Sequence, residues 1–288
     1  MAAYFPFDPD PRNPSRLPPP LAIDSQFHVF GPADRYPVVE GAPYEMPSAT
    51  IERALYMHSV LGFKRGVIVQ STTYGAASEN ILDALAIAGP GYRGCAHASV
   101  LTERDDAYVA RLHEAGVRGA RFTRSGLGTS MTAQDIERAL ARVRELGWYI
   151  KVQPEMAGIA GAIGPFRHLD IPVVIDHMGR PDPEAGDADP SLRVVLEMLQ
   201  EGNTWVMLSL WEKISKLGKP WEDAVGVARK LVAAAPHRCI WGSDWPHPVS
   251  LKQPPNDADF LELLYHAVPD DATRHQVLVD NPTTLFGF

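Results

Sequence analysis

From Leu21 onward, short apolar runs rich in β-branched residues alternate with longer stretches whose apolar positions recur at helical spacing. That alternation is the pattern of βαβ units around a buried parallel sheet. Eight runs are legible: Ala22 to Phe30, Arg65 to Gln70, Tyr92 to Ser99, Gly119 to Thr123, Tyr149 to Gln153, Pro172 to Asp176, Trp205 to Ser209 and Arg238 to Trp241. Helices are expected over Thr50 to Leu61, Ala77 to Ile87, Asp105 to Ala115, Thr132 to Leu146, Pro190 to Gln200, Trp221 to Ala234 and Asp257 to Tyr265. The segments Ala77 to Asn80 and Met131 to Asp135 offer helix starts, and Gly116 and Gly147 offer stops. Eight strands, each but the last followed at once by a helix or a long loop, predict a single (β/α)8 TIM barrel. An open doubly wound sheet is the alternative. Residues 1 to 20 carry seven prolines and no apolar period. They predict an extended N-terminal arm, with the barrel occupying residues 21 to 288.

Composition agrees with one large α/β domain: 288 residues, 45% hydrophobic and 22% charged. No stretch approaches the roughly 18 to 20 consecutive apolar residues of a membrane span. The first twenty residues are polar and proline-rich, unlike a signal peptide, so a cytoplasmic location is expected. A formal net charge of -8 leaves no footprint for a nucleic-acid or membrane-surface partner. Any anion must therefore be caught by a few placed cations. Cys95 and Cys239 sit in apolar runs and read as buried reduced thiols. A monomer or small homo-oligomer is expected.

In such barrels the reacting groups lie where strands end, because strands fix direction while the loops beyond them vary. The first run ends Asp24-Ser25-Gln26-Phe27-His28, and alternation puts Asp24, Gln26 and His28 on one side. An isolated Q-x-H also suits a satisfied polar cluster at a barrel mouth. The sixth run breaks from Val173-Val174-Ile175 into Asp176, His177 and Arg180, a burial of charge that needs a reason. The eighth ends Trp241-Gly242-Ser243-Asp244-Trp245-Pro246-His247-Pro248. There Gly242 permits a tight exit and Trp245 and Pro246 are expected to wall the site. Asp244 is left in semi-apolar surroundings where its pKa can rise toward that of a base. Its bland alternative is a helix N-cap.

With these strand ends together, the chain resembles the amidohydrolase superfamily, in the branch of barrel lactonases that act on 2-pyrone-4,6-dicarboxylate. The resemblance is carried by Asp24 to Pro32 (DSQFHVFGP), Gln70 to Gly75 (QSTTYG), Ala115 to Phe122 (AGVRGARF), Asp176 to Pro181 (DHMGRP), Trp241 to Pro248 (WGSDWPHP) and Val279 to Leu285 (VDNPTTL). It implies that Asp244 is the general base that takes a proton from water, and that His28 and His177 hold the lactone carbonyl. Gln26 stands where most of the superfamily has the first histidine of an H-x-H metal pair, and the fifth strand ends in Lys151-Val152-Gln153 without the usual histidine. A neutral amide is a poor zinc ligand. The branch resembled works without a metal, and Gln26 would then donate to the carbonyl or position the water. Carbamylation of Lys151 is a route to a bridged metal site only if alternation aims that side chain inward.

The resemblance also implies an anion grip built from Arg121, Arg180 and Tyr44. Gln153 replaces a tyrosine, Lys213 replaces an arginine fork with a point charge, and Arg124 and Ser71, with Thr72 or Thr73, add further candidates. Arg124 and Lys213 are equally read as ordinary surface charge. The function implied is metal-independent hydrolysis of a carboxylated lactone: a pyrone dicarboxylate, a muconolactone or a sugar-acid lactone. Three alternatives stand beside it. A lactone isomerase would use the same residues with a substrate hydroxyl as nucleophile. A zinc-dependent hydrolase or decarboxylase would hold its metal by His28, His177 and Asp244, and a non-catalytic barrel would only bind its ligand.

Overall fold

The computed structural model describes residues 4 to 123 and 131 to 288. Eight parallel strands follow in sequence order around one sheet: β1 (Ile23–Phe27), β2 (Arg65–Val69), β3 (Tyr92–His97), β4 (Val117–Phe122), β5 (Tyr149–Val152), β6 (Val173–Ile175), β7 (Thr204–Leu208) and β8 (Cys239–Trp241). The sheet closes through the segment that follows β8. Asp244 N donates to Gln26 O at 2.9 Å, His28 N donates to Trp245 O at 2.7 Å, and Phe27 bridges Trp245 in parallel. The chain is thus a (β/α)8 TIM barrel, as the alternation of runs predicts, and the open sheet is excluded.

The seven expected helices form within two residues of their expected ends. Thr132 makes a reciprocal capping box with Asp135, and Gly147 takes the left-handed conformation that stops that helix. Gly116, also at positive φ, lies one residue beyond the cap of the preceding helix. Most strands are shorter than the apolar runs, but β4 begins two residues earlier than its run, at Val117, and β7 matches its run in length. The first run leaves the ladder after Phe27, and Phe30 pairs instead with Ala49.

Two cores result. Inside the barrel pack Ile23, Val67, Val69, Cys95, Tyr149, Val174, Trp205, Met207 and Ile240. A larger layer between sheet and helices holds Leu, Ile, Val and aromatic side chains such as Phe27, Ile68, Leu85, Leu140 and Leu231. The Tyr149 ring fits the interior because its neighbour in register is Gly119, where a Cβ would stand 2.3 Å from that ring. Both cysteines are free and buried.

The proline-rich arm forms no regular element and lies across the end of the barrel where β8 exits. Phe5 N donates to Ser250 O, Arg12 N to Asn256 Oδ1 at 3.0 Å, and the Phe7 ring packs on Trp245 at 4.7 Å. Among the described residues no helix is long and apolar enough to cross a membrane.

Candidate active site

At the C-terminal ends of the strands the barrel opens into a cavity of about 600 Å3. His28, Tyr44, Arg121, Gln153, His177, Arg180, Lys213 and Asp244 all line it, so most of the residues expected from the strand ends meet in one place. The charge of Lys213 faces the cavity rather than bulk solvent. Ser71 does not line the cavity. Its hydroxyl shares a hydrogen bond with Tyr44 OH at 3.0 Å and another with Thr73 at 2.9 Å, and so braces the tyrosine from behind. Arg124 lies outside the described residues. Trp245 and Pro246 are not the walls they were expected to be, because Trp245 turns into the core under Phe7. Pro248, Val249 and Tyr4 of the arm take that place.

β1 departs from simple alternation. A bulge between Asp24 and Phe27 turns Asp24 away from the mouth, so it does not share a side with Gln26 and His28. Asp24 accepts hydrogen bonds from Gln26 N at 3.1 Å, Ser243 N at 2.9 Å and Ser243 Oγ at 2.6 Å, and meets His58 Nε2 at 3.0 Å. This buried carboxylate therefore ties the two chain segments that carry Gln26 and Asp244. Gly242 is needed here for close approach: a Cβ would lie 2.8 to 2.9 Å from Gln26.

Asp244 sits at positive φ (61°) and is 3% exposed. It caps no helix. Gln26 Nε2 donates to its Oδ1 at 2.8 Å, and His28 Nε2 lies 3.2 Å from the same oxygen. The other His28 nitrogen, Nδ1, is 2.7 Å from Val69 O. A carbonyl can only accept, so Nδ1 carries a proton. Oδ2 of Asp244 takes no hydrogen bond from the described residues and is not among the sealed atoms, so it is open to the cavity. Burial alone would raise this carboxyl, but His177, the His28 hydrogen bond and Lys213 together hold it well below the usual range. The expected upward shift is thereby corrected: the charges around Asp244 outweigh its desolvation, and it is a carboxylate at neutral pH.

His177, also at positive φ (51°), has Nδ1 2.9 Å from Ser209 Oγ and Nε2 3.5 Å from Asp176 Oδ2. Burial pushes it down to about 4 despite the neighbouring carboxylates, which makes it a neutral imidazole in the neutral range. Nδ1 shares a hydrogen bond with Ser209 Oγ, whose direction depends on the tautomer, while Nε2 makes no hydrogen bond among the described residues. His177, Met178, Arg180, Asp244 and His247 all take positive φ. Such conformations cost about 1 to 3 kcal/mol each in non-glycine residues and cluster at functional sites.

Asp176, a buried charge at the end of the sixth run, proves to be a hub whose partners reading strand ends does not find. Fully buried, it meets Arg121 Nη2 at 3.2 Å and Lys151 Nζ at 3.4 Å and accepts from His177 N at 3.0 Å. Lys151 does point inward, but its ammonium is engaged with Asp176, and burial lowers its pKa. The lone inward lysine of β5 was the signal available in the sequence. Arg121 keeps a buried Nε with no partner, while the Arg180 guanidinium has neither hydrogen bond nor ion pair among the described residues, only the backbone N–H being engaged, with His177 O. Glu212, unnoticed in the sequence because it opens a short loop helix (Trp211–Ile214), also lines the cavity.

A divalent ion needs lone pairs converging on one point. Here Gln26 presents N–H to Oδ1 of Asp244, and Nδ1 of His177 is engaged by Ser209. Among the described residues no three His, Cys, Asp or Glu side chains are grouped to hold a metal. The zinc set expected from the sequence, His28, His177 and Asp244, is thus not among such groups as the side chains stand.

The fold and this site define a barrel enzyme of hydrolytic type, and the comparisons agree. Residues 23 to 288 match the amidohydrolase family model, and the chain belongs to that family. It is 32% identical over 287 residues to a 2-pyrone-4,6-dicarboxylate hydrolase of Comamonas testosteroni, covering 96% of this chain and 93% of that protein. It is 33% identical over 281 residues to a 4-sulfomuconolactone hydrolase of Hydrogenophaga intermedia, covering 96% and 92%. A probable 2-pyrone-4,6-dicarboxylic acid hydrolase of Acinetobacter baumannii, solved with citric acid bound, superposes with a TM-score of 0.79 at 26% identity, covering 93% of this chain and all of that one.

Proposed function

We propose that this enzyme opens the ring of a small carboxylated lactone with water activated by Asp244, and that it does so without a metal. The observation that carries the reading is the asymmetry of the Asp244 carboxylate. Oδ1 is fixed by Gln26 and faced by His28, while Oδ2 is left open to the cavity. Oδ2 takes a proton from water as the water oxygen bonds to the lactone carbonyl carbon. The developing oxyanion lies toward Nε2 of His177, whose neutral imidazole, with its proton on that nitrogen, donates there, while His28 Nε2 faces Oδ1 of Asp244. Collapse breaks the ring carbon–oxygen bond, and Asp244 returns its proton to the departing alkoxide. Arg180 and Arg121 face the substrate carboxylate. Two buried free thiols suit a reducing, cytoplasmic compartment.

The test is a screen of chelator-treated protein against carboxylated pyrones, muconolactones and aldaric-acid lactones, following ring opening and isomer formation together. Turnover at an undiminished rate after chelation supports the reading. Silence reversed by zinc or manganese removes its metal-free part, and silence throughout leaves a binding barrel.

A further inference from the structure

The carboxylate of Glu212 lines the same cavity, with its side chain only 6% exposed. No N–H or O–H among the described residues donates to it. Oε1 is sealed from water and unpartnered, while Oε2 is not among the sealed atoms. The nearest cation, Lys213 Nζ, stands 3.8 Å from Oε1, beyond hydrogen-bond reach, and donates to Pro248 O at 2.7 Å instead. An ionised carboxylate can only accept, and a buried one left without donors is costly. Oε2 is thus the atom left to take a donor from the contents of the cavity. The Arg180 guanidinium, which lines the same cavity without a partner among the described residues, is lowered by burial and supported by the charges of Asp244 and Glu212.

Resting on the lactonase reading above, we infer that the substrate is a hydroxylated lactone bearing one carboxylate, a sugar-acid lactone. One of its hydroxyls donates to Glu212 while its carboxylate meets Arg180. A pyrone dicarboxylate offers no hydrogen-bond donor and brings a second negative charge toward Glu212, so it would leave that carboxylate unsatisfied and repelled. Sites built to hydrogen-bond a substrate hydroxyl discriminate strongly against analogues that lack it.

Binding is measured by calorimetry on an Asp244→Asn background, with an aldaric-acid monolactone, a muconolactone and 2-pyrone-4,6-dicarboxylate as probes. Turnover of the same three is measured with the unmodified protein. The hydroxylated lactone is expected to bind at least about tenfold tighter than the other two. Glu212→Leu should lower its kcat/KM about 100-fold. Glu212→Gln, which keeps the shape if the leucine variant misfolds, should weaken the hydroxylated lactone and improve the dicarboxylate. Equal or tighter binding of the unhydroxylated probes, or selectivity unmoved in Glu212→Gln, overturns the inference. Turnover of unhydroxylated lactones alone would do so while leaving the lactonase reading intact. Glu212-dependent binding of the hydroxylated lactone with no turnover of any probe would support it and remove the lactonase reading.

Discussion

Gln26 donates its amide N–H to Oδ1 of Asp244 at 2.8 Å, across the seam where the chain leaving β8 closes on β1. The amide cannot be turned the other way, because its oxygen would then face a carboxylate. Gln26 is thus a donor to the candidate base. Closing the barrel and aiming the carboxylate are one structural event.

Gln26→Leu removes a hydrogen bond to a charged acceptor, an interaction worth about 1.5 to 3 kcal/mol. Losing that donor raises the Asp244 pKa toward the ordinary aspartate range. We expect kcat on a carboxylated lactone to fall about tenfold or more and the acid limb of the pH profile to move upward. An unchanged profile would show that Gln26 does not tune the base.

Two shifts set the working pH range. Asp244 is held well below its usual range, and His177 is pushed down to about 4. Both are therefore in the required state, carboxylate and neutral imidazole, throughout the neutral range. The expectation is a kcat/KM flat from about pH 5 to 8, falling only as the pH approaches 4. Asp244→Asn should remove turnover by about 100-fold or more at every pH, since base catalysis contributes on that scale. Near-normal activity in that variant would exclude Asp244 as the base.

The same low values predict acid sensitivity of the fold. His97, held between Ser99 and Thr123, and His177 both lie near 4 in the folded chain, chiefly through burial, against 6.5 for the free group. Below 6.5 the unfolded chain takes up protons that the folded chain does not. Stability from burying these rings neutral is full above about 6.5 and is lost as pH falls toward 4. On the order of 3 kcal/mol each is at stake. Thermal melts from pH 7 to 4 should show the decline, with a shallower slope in His97→Gln; an equal slope would refute the assignment.

Most of the barrel is legible in the sequence because the βα alternation is local. The periodic run from Thr132 to Leu146, with its capping box and its terminal Gly147, specifies a helix without help from the rest of the chain. His28, His177 and Asp244 are legible because each interrupts an apolar run at a strand end. What is hidden depends on partners distant in the sequence. The bulge that turns Asp24 outward, the Asp176 hub joining β4, β5 and β6, and the unpartnered Glu212 become visible only once the sheet is closed. The Asp244 pKa was misread for the same reason. Its desolvation can be guessed from neighbouring residues, but the opposing charges come from other strands.

Arg121 and Arg180 appear equivalent as sequence candidates but differ in the structure, and their variants should separate. Arg180→Met removes a guanidinium with no partner among the described residues, so it should raise KM for carboxylated lactones about 10- to 100-fold with little change in thermal stability. Arg121→Met also strips one of the two cations from the buried Asp176 carboxylate, leaving Lys151 alone. Breaking a buried pair costs about 3 to 5 kcal/mol, so this variant should lose stability as well as affinity. Adding Asp176→Asn removes the stranded charge and should return part of the stability without restoring KM, a double-mutant coupling readable in urea melts. If both arginine variants shift only KM, Asp176 is already neutralised by Lys151, and the hub is weaker than the distances of 3.2 and 3.4 Å imply.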